Sequence, residues 1–395
     1  MLKQTYDREA IAKSISKRDV WKWSLWNNES EKEIKISNIS NKIKSKDYKI
    51  SDLKVERNKG KETYLASNSE DAILLRILDK YIRRIYKVKQ ADRSSIVHQI
   101  KTLLSDTSDL VVLRVDIESC YESINFQKLI ERLSNDMLLS PTSLKILNSV
   151  FDRGSELGQI GLPRGICISA TLAELFLERI DSKMKKLDGV IYFTRYVDDY
   201  LLFIDRKNAD LVKTTLKNEL DSIDLGFQEE SEKYFLEGST GQEFVYLGYE
   251  FFAKTKKRSE NQVSLTISDE KISKIKKKIA LSFKDYIKNS DFNLLSQRIN
   301  YLSSVRIIKS HENGNLLGGI AYSYQSVTDN FECVKKIDSF YIGQLHQHLK
   351  LFNEDQKKIL FKKSFYGSVR NQKKGIFTRK KMKTIAKIWK NVKNN

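Results

Sequence analysis

Two adjacent aspartates, Asp198-Asp199, stand between two apolar runs. Val190-Ile191-Tyr192-Phe193-Thr194-Arg195 precedes them and Tyr200-Leu201-Leu202-Phe203-Ile204 follows. Both runs are rich in β-branched, aromatic and aliphatic residues, so both read as strands. The pair therefore falls at the tip of a hairpin, where neighbouring carboxylates repel. A solvated turn would tolerate them. A divalent cation with hard oxygen ligands would equally justify them among apolar flanks.

A second stretch narrows the choice. Leu110-Val111-Val112-Leu113-Arg114-Val115-Asp116-Ile117 is a strand run that ends in a carboxylate. One strand-end aspartate plus a hairpin pair is the donor set that two-metal phosphoryl transfer requires, with ions roughly 3.5–4 Å apart. Asp116, Asp198 and Asp199 are thus the candidate catalytic and metal-binding residues. Between the two stretches lies Gly161-Leu162-Pro163-Arg164-Gly165, followed by an apolar helical stripe over 172–184 that Ser169 is expected to cap.

In this order the stretches resemble the palm of reverse transcriptases. Val115-Asp116 through Tyr121 matches their metal-binding aspartate motif, Leu162 to Gly165 their proline-glycine motif, and Tyr196 to Asp199 their YxDD box. Phe244-Val245-Tyr246-Leu247-Gly248-Tyr249 is similar to their primer-grip hairpin, with Leu247, Gly248 and Tyr249 at its turn. The resemblance spans about 57–255. It implies an α+β right-hand polymerase fold with fingers, an antiparallel-sheet palm and a helical thumb. It implies an RNA-directed DNA polymerase using two Mg²⁺ ions, with Mn²⁺ as the alternative and the Ile117 carbonyl near the metals beside the three aspartates, and dNTPs, an RNA template and a DNA product as partners.

The resemblance also assigns a nucleotide site. Tyr121 falls where the family carries an aromatic beneath the incoming sugar, a gate against the 2′-hydroxyl. Pro163, Arg164 and Gly165 would lie over the nucleotide. Many members carry Gln where this chain has Arg164, so a phosphate or template-base contact is expected of the extra charge. Arg93 is the candidate finger residue for the triphosphate, since a guanidinium grips phosphate oxygens bidentately. Lys233 falls where a lysine meets the pyrophosphate and can protonate or neutralise it.

Charge locates a second expectation. The formal net charge is +20. Residues 357–395 hold fourteen Lys/Arg and no acid, leaving 57 basic against 51 acidic residues elsewhere, a net of only +6. Such a segment suits a polyanion. Phe361, Phe365, Tyr366 and Phe377 interleave with its charges in a pattern that fits stacking on unpaired bases. The expected domains are an N-terminal helical extension over 1–56, fingers and palm over 57–255, a helical thumb over 256–325 with loops at Gly314 and Gly318-Gly319, and a basic helical region over 326–395.

The three cysteines, Cys120, Cys167 and Cys333, are scattered, which points to reduced thiols in a cytoplasmic protein. No run is long and apolar enough to span a membrane. No protease, integrase, nuclease or RNase H pattern is legible, nor the thumb motifs of retron enzymes. The likeness is to bacterial defence-associated, abortive-infection reverse transcriptases, and among those to the smaller enzyme of the two-polymerase type 3 systems. That implies antiviral defence, a structured non-coding RNA, and a second reverse transcriptase or another copy as partner. Template-independent or protein-primed synthesis by the same site, and a catalytically weak RNA-binding scaffold, stay open as alternatives.

Overall fold

The computed structural model describes residues 3–45, 48–58, 61–156, 161–231, 233–255, 260–311 and 314–389. The chain divides into two compact units, Met1–Ala91 with Leu110–Glu237 and Asp92–Asp109 with Gly238–Asn395.

The first unit carries the hairpin β1 (Leu53–Asn58) and β2 (Lys61–Ala66), then β3 (Leu110–Asp116), β4 (Val190–Tyr196), β5 (Asp199–Asp205) and β6 (Phe235–Gly238). The last four form one sheet in the order β4-β5-β3-β6. Strand β5 lies between two partners, and its segment Tyr200–Ile204 is fully buried on both faces. An uninterrupted apolar run, rather than an alternating one, is what a doubly covered strand requires. Helices Ser69–Ile85 and Cys167–Met184 pack on each other and share the core with the sheet. The first is started by Asn68, whose side chain accepts from the Asp71 amide at 2.8 Å. Asp71 is itself buried, and the Ser51 amide, the Asn68 side chain and the Tyr48 hydroxyl all donate to it. The N-terminal helices are tied to the same helix by Arg76, which donates to both oxygens of buried Asp19 at 2.8 and 3.0 Å. The charged stretch 30–49 reads in the sequence as either a solvated helix or a linker; residues 29–44 are a helix with Asn28 as its cap. Trp21 is exposed and Lys22 lies over the Trp23 ring.

Two local expectations change here. Gly226-Phe227 reads in the sequence as the start of a strand, but the strand begins only at Phe235, and Phe227 stacks on Tyr234 with centroids 6.2 Å apart. Ser169 does not cap its helix, which begins at Cys167. Its hydroxyl donates to the Pro163 carbonyl at 2.7 Å and so braces the preceding loop.

The second unit holds β7 (Glu243–Tyr246), β8 (Tyr249–Lys254) and β9 (Gln262–Ile267) as an antiparallel meander, and β10 (Val305–His311), β11 (Gly314–Gly318) and β12 (Lys374–Gly375) in the order β11-β10-β12. Helices Asp269–Asn289 and Phe292–Ser303 stand where a helical thumb was expected. The β10–β11 hairpin occupies the stretch expected to be loop, because Gly314 and Gly318 are the first and last residues of a strand rather than loop residues.

The basic C-terminal segment is folded into this unit. Strand β12 runs parallel to β10, Trp389 donates to the Lys278 carbonyl at 3.1 Å, and Leu360, Phe365, Val369 and Ile385 are buried. This corrects the stacking expectation. Phe365 is core, Phe377 packs edge-on against Tyr301, and Tyr366 packs against Phe331. Of these four aromatics only Phe361 is exposed, beside His346. Among the described residues no helix is long and apolar enough to cross a membrane.

Candidate active site

The ladder between β3 and β5 sets the carboxylates. Asp116 and Asp199 are register partners, and the Ile117 amide donates to the Asp198 carbonyl at 2.9 Å. The strand end and the hairpin turn are thereby fixed to one another through backbone. On the other side of β5, Tyr196 pairs with Asp199, leaving Val197-Asp198 as a two-residue turn. Val197 has φ +65°, a left-handed conformation that a β-branched residue rarely adopts. Arg195 holds it there. Its guanidinium donates to the Val197 carbonyl at 2.6 Å while paired with Asp181 at 2.6 Å and Glu174 at 2.8 Å. The Arg195 side chain is only 4% exposed, so this ion network lies within the protein interior.

Each carboxylate meets a different environment. Burial and the facing Asp116 carboxylate both push Asp198 above the usual carboxylate range. Burial also pushes Asp199 up, opposed by Arg114, which grips both its oxygens at 3.0 and 2.8 Å. Asp116 accepts from the Lys233 ammonium at 2.7 Å. Among the described residues no three His, Cys, Asp or Glu side chains converge as a ready metal cluster. Asp116 and Asp198 nonetheless present facing hard oxygens whose repulsion a divalent cation relieves, so these residues fit such an ion.

A cleft of about 550 Å³ opens over these groups. It brings together Asp116, Asp198, Asp199, Tyr121, Arg164 and Lys233, with Gly165 and the Cys167 thiol also on its wall. Pro163 is buried behind it. The loop around Arg164 is stapled to the Tyr121 segment. Leu162 donates to the Tyr121 carbonyl at 2.7 Å, and a Cβ on Gly161 would come within 2.3 Å of the Glu122 carbonyl oxygen. Only glycine fits there. Arg164 grips both oxygens of Glu122 at 3.1 and 3.0 Å, and its guanidinium carbon lies 4.8 Å from the Tyr121 ring centroid.

The remaining candidates lie in the second unit. Leu247 and Gly248 have φ +51° and +77°, the signature of a type I′ turn closing the β7–β8 hairpin. Arg93 donates to the Leu247 carbonyl at 2.6 and 3.1 Å, and its guanidinium lies 5.1 Å from both the Tyr249 and Tyr324 rings. Its donors are turned to that turn and to the Ser323 carbonyl.

Arg114, Glu122 and Arg195 went unread in the sequence. Arg114 alternates with apolar neighbours on β3, which was a usable sign of a buried partner. Nothing local announces that Glu122 meets Arg164, 42 residues away.

Residues 68–251 match the family model described as reverse transcriptase (RNA-dependent DNA polymerase). Over those residues the chain is similar to a reverse transcriptase domain, and the fold around the cleft is an α+β architecture of the polymerase kind. No curated protein sequence matches the chain. Similar solved structures include telomerase from Candida albicans in complex with a TWJ fragment of telomeric RNA, at 12% identity and TM-score 0.40, covering 90% of this chain and 67% of that one. Apo telomerase from Candida tropicalis gives 12% and 0.40, covering 88% and 65%. The Candida tropicalis telomerase complex with a TWJ fragment gives 12% and 0.39, covering 86% and 63%. This chain spans about two thirds of the length of those telomerase chains.

Proposed function

We propose that this protein extends a 3′-hydroxyl with dNTPs on an RNA template, with Asp116 and Asp198 as the principal ligands of two Mg²⁺ ions and Asp199 completing the set. The observation that carries the reading is the fixed approach of a strand-end aspartate and a hairpin pair in one open cleft, with Lys233 and Arg164 on its walls. Bound divalent ions would activate the attacking hydroxyl and neutralise the triphosphate. The residues of the chain do the rest. The Arg195-braced turn keeps Asp198 at a set distance from Asp116. Lys233, an ammonium on Asp116, is placed to follow charge onto the leaving pyrophosphate. Tyr121 floors the sugar pocket and selects deoxynucleotides. Leu247-Gly248-Tyr249 is the primer-grip turn, and Arg93 acts by fixing that turn.

The finer placement is bacterial antiviral defence with a structured non-coding RNA that supplies template or primer. It rests on the motif resemblance and on the exposed basic C-terminal surface. The test is to purify the protein with its bound nucleic acid, supply dNTPs singly and together, and sequence the product. A product complementary to the co-purified RNA supports templated copying; a homopolymer or random product replaces it with untemplated synthesis by the same site. Asp198→Ala/Asp199→Ala should stay folded and incorporate nothing. Wild-type incorporation by that variant would remove the site assignment.

A further inference from the structure

We infer that Arg164 and Glu122 set sugar specificity, by holding the Tyr121 ring in its sugar-facing position rather than by contacting phosphate. The inference rests on the gate reading of Tyr121 given above. Three observations carry it.

First, Arg164 is already engaged. Two parallel donor bonds to Glu122 at 3.1 and 3.0 Å fix the guanidinium plane. A bidentate carboxylate pair is the strongest orientation a guanidinium finds, and it uses the same fork a phosphate would need. Second, the fixed guanidinium is 4.8 Å from the Tyr121 centroid, within cation–π distance. Tyr121 is thereby covered by a charged plate that swings only if the Glu122 pair breaks. Third, the loop carrying Arg164 is anchored on both sides. Leu162 donates to the Tyr121 carbonyl at 2.7 Å, and Tyr64 of β2 donates to the Arg164 carbonyl at 2.6 Å. Gly165, at φ +107°, leaves no room for a Cβ against Thr63 and Tyr64. The plate therefore cannot drift as a unit away from the ring.

A gate discriminates by resisting displacement. A ribonucleotide brings one extra hydroxyl against Tyr121, and an unbraced ring yields by a small rotation. Selection between two sugars is a difference of transition-state energies, so the stiffness of the wall enters the ratio directly. Glu122 touches no substrate in this scheme; it is a positioning residue acting through Arg164.

The experiment is single-nucleotide incorporation with one dNTP and its rNTP, kcat and KM separately, for wild type, Tyr121→Ala, Arg164→Gln, Arg164→Lys, Glu122→Gln and the double variant Arg164→Gln/Glu122→Gln. Thermal melts check folding. Arg164→Gln and Glu122→Gln should each relax the dNTP-over-rNTP ratio of kcat/KM by about three- to thirty-fold, the span a cation–π interaction covers. The double variant should relax it no further than either single one, because both remove the same brace. Arg164→Lys keeps the charge but loses the flat fork, so it should follow Arg164→Gln. If Arg164 served phosphate instead, its loss would raise KM for both nucleotides alike, Lys would rescue, and Glu122→Gln would leave the ratio unchanged; that result overturns the inference. Should Tyr121→Ala itself leave the ratio at the wild-type value, the gate reading falls and this inference with it. If Tyr121→Ala relaxes the ratio while Glu122→Gln does not, the gate stands and only the brace is wrong.

Discussion

Arg195 donates to the carbonyl of Val197, two residues further along its own hairpin, at 2.6 Å. The bond comes from inside the protein, from a side chain that also carries Asp181 and Glu174. Burial pushes Glu174 upward even beside that guanidinium, so the network is expensive to leave half-made. Arg195→Met should therefore lower unfolding stability by about 3–5 kcal/mol, the cost of leaving buried partners unpaired. Arg195→Lys should lose less stability but fail to span all three acceptors. Urea unfolding decides it; a loss well under 1 kcal/mol for Arg195→Met would mean the turn is held by something else.

The two turn aspartates should behave unequally. Asp199 has Arg114 on both oxygens, whereas Asp198 faces the cleft beside Asp116. Asp198→Asn is expected to lower incorporation about 10²- to 10³-fold, the scale of losing one preorganised electrostatic partner, and Asp199→Asn about tenfold less than that. Mg²⁺ titration of the rate, with Mn²⁺ binding followed by electron paramagnetic resonance, separates ligand loss from misfolding. Equal loss of Mn²⁺ affinity in both variants would show that Arg114 releases Asp199 to the ion.

The basic C-terminal segment must be probed by substitution. Truncation after Gln356 removes buried Leu360, Phe365, Val369, Ile385 and Trp389, so it should destabilise the second unit rather than report on RNA. Exchanging exposed Lys358, Lys362, Lys373, Lys374, Lys381, Lys383 and Lys387 for Gln keeps that core. Each phosphate left without its lysine flattens the slope of log affinity against log salt by about 0.7 to 0.9, so if half of these lysines reach phosphates the change is about 2.5 to 3. An unchanged slope would place RNA elsewhere.

Lys363 gives a pH signature. Burial, with Lys373 adding like charge, lowers its pKa below the usual lysine value. A depressed folded pKa means that stability is fullest above the unfolded lysine value and is lost as pH falls through the folded one. At neutral pH the protein already carries that penalty. Lys363→Met should raise the melting temperature at pH 7, with the gain shrinking as pH approaches 10.5. A gain that does not change with pH would point to better packing rather than charge.

Much of the sheet that carries the three aspartates was legible because its signals are local. β3 and β5 are apolar runs that end or begin in an acid, and the hairpin tip follows from their spacing. What supports those acids was not legible. Arg114 reaches Asp199 across 85 residues, and Arg164 reaches Glu122 across 42. Such pairs depend on which side chains the sheet register and loop packing bring together. The β10–β11 hairpin was missed because its glycines read as punctuation, and β12 is too short to announce itself. Phe365 and Trp389 were hidden among lysines, where charge dominated the reading of a segment that the fold in fact buries in part.

The second unit is assembled from two separated stretches of chain. Its Arg93–Ser105 helix is tied to Asn261, whose side chain donates to Leu104 across 157 residues. Ribosomes add about 5–20 residues each second, so this helix leaves the tunnel about 8–30 s before its partner is made. Through that interval the apolar face of Ile96, Val97, Ile100 and Leu104 waits uncovered on the nascent chain. Synthesis rate and chaperone supply, rather than the finished fold's stability, should then govern how much correctly assembled protein a cell obtains. Slowing translation downstream of residue 109 should lengthen that exposed window and lower the yield.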